Sequence, residues 1–97
     1  MSLKDIFKND LFKGKNVFIT GGGSGINLGI AHSFAALGAN ISICGRTEEK
    51  LSVAADQLKS YGVEVYYGAA DVRDAERLKE VINESVETFG SLDVLVA

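Results

Sequence analysis

The chain has 97 residues, 46% of them apolar and 24% charged, which suits one small globular domain and no more. Its net charge of −3 and pI near 5.0 give no cationic face for nucleic acid or an acidic membrane surface, and no apolar run reaches the roughly 18 residues of a bilayer span. Cys44 is the only cysteine, so no internal disulfide and no metal centre is expected, and the start of the chain (MSLKDIFKND) lacks an apolar signal core, so a cytoplasmic location is expected.

In chain order, Asn16–Thr20 (NVFIT) is a short β-rich run whose unbroken apolarity suits a parallel strand covered on both faces. The cluster Gly21-Gly22-Gly23-Ser24-Gly25 follows, then a predicted helix over about 26–37 with Ile30, Ala31, Phe34 and Leu37 on one stripe. Gly38 stops it, because glycine enters the left-handed conformation cheaply. Ile41–Cys44 is the second strand. Thr47 reads as the N-cap of the next helix, with Glu48 and Glu49 where the helix dipole favours negative charge. Leu51, Ala54, Ala55 and Leu58 line the buried face of that helix, and Gly62 ends it. Val63, Val65 and Tyr67 open a third strand. Asp74 is the next N-cap, and Leu78, Val81, Ile82, Ser85, Val86 and Phe89 hold helical spacing with one polar interruption before Gly90. Leu92–Ala97 (LDVLVA) is the fourth strand.

The order is therefore β-α-β-α-β-α-β. Strands joined by helical crossovers lie parallel, and the crossovers are right-handed. The expectation is an α/β, Rossmann-type doubly wound parallel sheet, N-terminal half only, with strand order 3-2-1-4. That order sets the carboxyl ends of strands 1 and 4 side by side, and ligands bind at such a switch point.

Strand 1 runs into T-G-G-G-S-G-I-N-L-G (Thr20–Gly29) and then into a helix. A pyrophosphate needs a tight bend, close backbone approach and free N–H groups on the first helical turn; glycine supplies the first two and the helix start the third. The strict G-x-G-x-x-G spacing is absent, since from Gly23 its last glycine would fall on Leu28, and no Gly-Lys-Ser/Thr occurs. A plain strand-to-helix turn is the alternative. The strand before, the helix after and the second βα unit favour phosphate binding, with Gly21, Gly23, Ser24, Gly25, Ile26 and Asn27 as candidate ligands.

Thr20-Gly21-x-x-x-Gly25 resembles the cofactor motif of the short-chain dehydrogenase/reductase family, T-G-x-x-x-G-x-G. The resemblance runs from about Leu11 to the end, through Phe12-Lys13-Gly14-Lys15, Gly45-Arg46-Thr47, Asp71-Val72 and Leu92-Asp93-Val94-Leu95-Val96. One position departs: Asn27 stands where the family has its third glycine. Asparagine tolerates a left-handed backbone better than other side chains do, but it occupies space near the expected pyrophosphate. On this reading residues 1–14 are a lead-in and 15–97 a dinucleotide-binding half-domain, cut off after strand 4. The texture of ITGGGSGI, ICGRTEEKL and AADVRD is most similar to the dienoyl-CoA reductase and the enoyl or 3-oxoacyl acyl-carrier reductase branches.

A carboxylate at the end of strand 2 would bind the ribose 2′-hydroxyl of NAD and repel a 2′-phosphate. This chain has Cys44-Gly45-Arg46 there and no carboxylate before Glu48. A guanidinium binds phosphate through charge-assisted bonds, and in the family an arginine just after strand 2 goes with NADP. Arg46, with Ser24 and Thr47 as hydroxyl donors, therefore points to NADP(H) over NAD(H). The alternative for Arg46 is a solvated loop residue. The resemblance implies that Asp71 accepts the adenine amino group and that the Val72 backbone lies on the ring; Asp71 as a simple turn cap is the alternative.

Asp93, at the amino end of strand 4, reads as structural. His32 reads as a half-exposed helix residue and Cys44 as an inert small hydrophobe. Tyr61, Tyr66 and Tyr67 read as packing residues. None has a lysine four positions on, so none matches the family's Tyr-x-x-x-Lys pair.

The resemblance places the catalytic Asn, Ser, Tyr and Lys beyond Ala97, so catalytic residues are none here, and the parent enzyme is expected to exceed twice this length. The expected activity is hydride transfer to a carbonyl or conjugated enoyl substrate, a small molecule or an acyl thioester, in a homo-oligomer that binds neither nucleic acid nor membrane. The 97-residue chain alone is expected to be inactive, with the VLV strand an open apolar edge that pairs with later strands or with a second copy. Two other readings stay open: a non-catalytic NADP(H)-sensing module, and a structural unit in which Asn27 has closed the site.

Overall fold

The structure is a computed structural model and describes residues 12–97. Strands β1 (Asn16–Thr20), β2 (Asn40–Gly45), β3 (Val65–Ala69) and β4 (Val94–Val96) alternate with helices α1 (Gly25–Ala36), α2 (Glu48–Lys59) and α3 (Ala75–Phe89). The sheet order is β3-β2-β1-β4, every pair parallel, with Val17 beside both Ile41 and Val94. This is the expected half of a doubly wound sheet.

Side-chain alternation along each strand divides the core in two. Val17, Ile19, Ile41 and Ile43 point to one face, where α1 and α2 bring Ala31, Ala35, Leu51, Ala54 and Leu58 against them. Phe18 and Cys44 point to the other face and meet Val81 of α3, with Leu78, Ile82 and Leu92 around it. Fully burying one such aliphatic side chain stabilises the fold by about 1.5–3 kcal/mol. The helical stripe read for α1 needs one correction. Ala35 rather than Leu37 is the fully buried residue near its end, and Leu37 is the half-buried C-cap. This helix is apolar around most of its circumference, so periodicity alone could not pick its inner face. For α2, whose other face is charged, all four residues read as buried are buried.

The polar interruption in α3 is explained by its partner. The buried hydroxyls of Ser85 and Ser42 bond to each other across the smaller core. Gly38, Gly62 and Gly90 follow the three helices with φ of +93°, +83° and +89°, the left-handed stops expected of them.

Strand bounds differ by a residue or two. β2 is longer than read, β3 begins at Val65 rather than Val63, and β4 is confined to Val94–Val96. Just before β4, Asp93 accepts the Asn16 N–H on its carboxylate (2.9 Å) and donates its own N–H to the Asn16 carbonyl (2.9 Å). Of the lead-in, residues 1–11 lie outside the described residues. Phe12 packs edge-on against Phe34 at 5.1 Å, and its N–H donates to the Leu37 carbonyl.

The amino ends of the strands are stitched together by side chains. Asn16 is buried and donates through Nδ2 to Ser91 Oγ (2.8 Å) and the Phe89 carbonyl (3.4 Å). Its Oδ1 accepts from Asn40 Nδ2 (3.2 Å), and Asn40 Oδ1 accepts from the Glu64 N–H (3.1 Å). The chain of bonds thus crosses from Asp93 to Glu64, from one edge of the sheet to the other.

Candidate functional site

All three helices begin at the opposite, carboxyl end of the sheet, so their positive dipole ends converge there. The bend between β1 and α1, with the first turn of α1, carries most of the candidate residues. Gly21 and Gly25 have φ of +66° and +67°, a conformation in which any Cβ is strained. Gly22 has another constraint. A Cβ there would lie 2.5 Å from Ile43 Cγ2, and its N–H donates to the Cys44 carbonyl at 3.2 Å. The bend therefore lies flat on β2, and Gly22 is a residue the sequence reading did not single out.

Ser24 is the N-cap of α1 with extended backbone and no side-chain capping bond, and the first helical bond runs from the Leu28 N–H to the Ser24 carbonyl at 3.4 Å. By helix geometry the N–H groups of Gly25, Ile26 and Asn27 then have no intrahelical acceptor. A Cβ placed on Gly25 meets nothing within 4 Å, so the surface over this helix start is open. The Asn27 carboxamide does not lie over it. Nδ2 donates to the Thr20 carbonyl at 2.6 Å, which ties the first turn of α1 back to the end of β1. The bend is therefore braced from inside and its outer face keeps the features a diphosphate needs. Ile26 projects from the rim with 83% of its surface exposed.

Two of the hollows that adjoin the bend share Gly21, Gly45 and Arg46. The first, of about 230 Å³, is completed by Gly23, Ser24, Thr47, Lys50 and Leu51. It contains two cations and two hydroxyls and no carboxylate. Thr47 sits at the N-cap of α2 as expected, but its side chain makes no capping bond. Among the described residues, Arg46 and Lys50 make no ion pair. Lys50 was not read as a candidate. Its signal was its place three residues after Thr47, one turn into α2 and above the exit of β2.

The second hollow, of about 430 Å³, is completed by Ala70, Asp71, Val72 and Arg73. Asp71 lies two residues past the end of β3, in a turn closed by the Asp74 N–H on its carbonyl at 2.8 Å. Its carboxylate accepts three bonds from Arg73: the backbone N–H at 2.9 Å, Nε at 3.2 Å and Nη2 at 2.9 Å. These hydrogen bonds hold the Asp71 carboxyl down to about 2, with the charges of Arg73 and Arg46 acting in the same direction. An ionised carboxylate has more than three acceptor positions, so Asp71 can still accept from a ligand. Val72, 55% exposed, supplies apolar surface beside it.

The remaining titratable candidates do not line these hollows. His32 Nδ1 is 2.9 Å from the Tyr61 hydroxyl on the outside of α1. Burial pushes the Cys44 thiol up, as fits a packing residue. Tyr66 is bonded to Glu84 and is pushed up to about 12, by burial first and by that bond second. Tyr67 packs with the larger core. Asp93 belongs to the amino-end network. Among the described residues no cluster of His, Cys, Asp and Glu has the form of a metal site, and no helix is long and apolar enough to cross a membrane.

Known proteins with these features were found by comparison. The family model described as short chain dehydrogenase matches residues 15–97. A peroxisomal 2,4-dienoyl-CoA reductase of Arabidopsis thaliana is 40% identical over 90 residues, covering 93% of this chain and 30% of the relative. A 3-dehydrosphinganine reductase of the same plant is 45% identical over 85 residues, 87% of this chain and 24% of its own length. Among solved structures, L-sorbose reductase from Gluconobacter frateurii, complexed with NADPH and L-sorbose, is 39% identical with a TM-score of 0.84, covering 90% of this chain and 34% of that one. NAD+-bound xylitol dehydrogenase is 31% identical with a TM-score of 0.84, covering 87% of this chain and 32% of that one. The chain thus spans roughly a third or less of the length of each of these proteins.

Proposed function

This chain belongs to the short-chain dehydrogenase family, and from that premise we propose that it is the NADP(H)-binding portion of an oxidoreductase that transfers hydride to a carbonyl or conjugated enoyl substrate. The family carries the class of chemistry. The choice of cofactor rests on one observation: the hollow beside the glycine bend is lined by Arg46 and Lys50, with the hydroxyls of Ser24 and Thr47 that make no capping bond, and by no carboxylate. A 2′-phosphate brings about two negative charges, and this lining answers them with cations and donors. The solved relatives divide, one bound to NAD+ and one to NADPH, so the residues of this chain have to decide.

In this reading Gly21, Gly23, Gly25, Ile26 and Asn27 present backbone to the diphosphate at the mouth of α1. Ser24, Arg46 and Thr47 bind the 2′-phosphate, with Lys50 added. Asp71 and the Val72 backbone hold the adenine. The nicotinamide, when bound, supplies the hydride. Residues 15–97 act as the cofactor half-domain, and the accompanying proton is proposed to come from a group outside them. An acyl thioester or other small carbonyl compound is the proposed substrate class, the whole protein a homo-oligomer, and its acidic charge and single buried thiol suit the cytoplasm.

The test is calorimetry of the intact protein with NADPH and NADH. Arg46→Ala should weaken NADPH binding by about 1.5–3 kcal/mol, the range for hydrogen bonds to charged groups, and leave NADH nearly unchanged. A parent protein that prefers NADH, or equal losses for both cofactors, would overturn the assignment.

A further inference from the structure

Of the two hollows that Arg46 lines, the larger also holds a carboxylate, that of Asp71. Arg46 lines both cavities, and Asp71 faces the second of them. An unpaired Asp71 would offer Arg46 a partner of its own and would compete with any phosphate for the guanidinium. Asp71 is not unpaired. Arg73 meets both of its oxygens, Nη2 at 2.9 Å on Oδ2 and Nε at 3.2 Å on Oδ1, and its backbone N–H adds a third bond. The planar fork of arginine matches a carboxylate two-handedly, which a single-point cation cannot do. The Arg73 side chain is 79% exposed, so it contributes little to packing, and its contacts are with Asp71.

We propose that Arg73 is a positioning residue for cofactor selectivity: by occupying the Asp71 carboxylate it leaves Arg46 free for the 2′-phosphate. The proposal rests on the NADP(H) reading above and concerns how that preference is kept. Asp71 has a use at this spot, toward the adenine. Arg73 makes its charge compatible with an anion site at Arg46, which lines the same hollow. The two-residue separation is what allows this, because the turn that presents Asp71 also presents the Arg73 N–H to the same oxygen.

The readout is the ratio of NADPH to NADH affinity, measured by equilibrium binding on the intact protein. Arg73→Ala should lower that ratio by about three- to fivefold, the reach of an exposed ion pair. The loss should shrink as salt screens the competing Arg46–Asp71 pair. Adding Asp71→Asn to Arg73→Ala should restore the ratio, even if both affinities fall through a weaker hold on adenine. Arg73→Lys should fall between parent and alanine variant. An unchanged ratio for Arg73→Ala, with both cofactors weakened alike, would mean that Arg73 only orients Asp71 for the base. Failure of the double variant to recover would remove the competition argument. Either result would leave the Arg46→Ala test standing, whereas a parent ratio favouring NADH would overturn the cofactor assignment itself.

Discussion

The two ends of this sheet solve the same problem in opposite ways. At the amino end, side chains link one strand start to the next. Asp93, Asn16, Asn40 and the Glu64 backbone form one continuous chain of bonds across four strands. At the carboxyl end main-chain joints, such as the Gly22 N–H on Cys44 and the Ala70 N–H on Gly45, stand beside side-chain ones from Thr20 to Val96, Asn27 to Thr20 and Arg77 to Ala69. There, among the described residues, the side chains of Ser24, Arg46, Thr47 and Lys50 have no hydrogen-bond or ion-pair partner. The helix starts repeat the contrast on a smaller scale. Asp74 caps α3 by accepting from the Arg77 N–H, while Ser24 and Thr47 occupy the same position on α1 and α2 and cap nothing. A sheet end closed by its own side chains is architecture, and one left open is a place for something else to complete.

This contrast can be broken by mutation. Asn16→Ala should have the largest effect, about 3 kcal/mol of stability at roughly 1 kcal/mol for each of its three side-chain bonds, with no change in cofactor affinity. Urea denaturation together with dinucleotide titration measures both; a binding defect as large as the stability defect would show that the two ends are not independent. Gly22→Ala should come next, at about 2 kcal/mol, because its methyl collides with the buried Ile43 and the strain is of the overpacking kind. Unlike the first variant, it should also weaken binding, since the bend must lift from β2 to accommodate it. The smallest effect belongs to Asp71. Its folded carboxyl is held at about 2 against an ordinary 3.8, a depressed value, so its stabilisation is fully present above 3.8 and fades as pH falls toward 2. Asp71→Asn should therefore differ from the parent by a constant amount down to about pH 4 and converge with it below, in denaturation curves taken stepwise in pH.

Much of this was legible in the residues. Alternating runs of β-rich and helical spacing specify the crossovers, and the crossovers specify a parallel 3-2-1-4 sheet. Asp93 was readable as structural from its position alone, since the amino ends of such strands face away from the ligand crevice. The stripe of α2 was readable because its polar face contrasts with it, and that of α1 was blurred because no such contrast exists. What could not be read were pairings between distant side chains and short contacts. The bond from Ser85 to Ser42 spans 43 residues, and nothing local to either serine announces it. Asn27 looked like an intruder at a glycine position, and only its bond to Thr20 reveals a brace. Arg73 stood two residues from a candidate already named, yet a two-residue spacing in a loop does not determine whether side chains meet.

The Ser42–Ser85 pair has a further consequence for how α3 is seated. Among the described residues α3 alone covers its face of the sheet, resting on a small greasy patch around Phe18 and Val81. Such a patch would tolerate the helix slipping along its axis by a turn, because oil on oil discriminates weakly between offsets. Two hydroxyls that meet only at one offset change that. Any slipped arrangement would strand both of them in a dry setting at about 1–3 kcal/mol apiece, so the pair works as an index pin that selects one seating from several otherwise comparable ones.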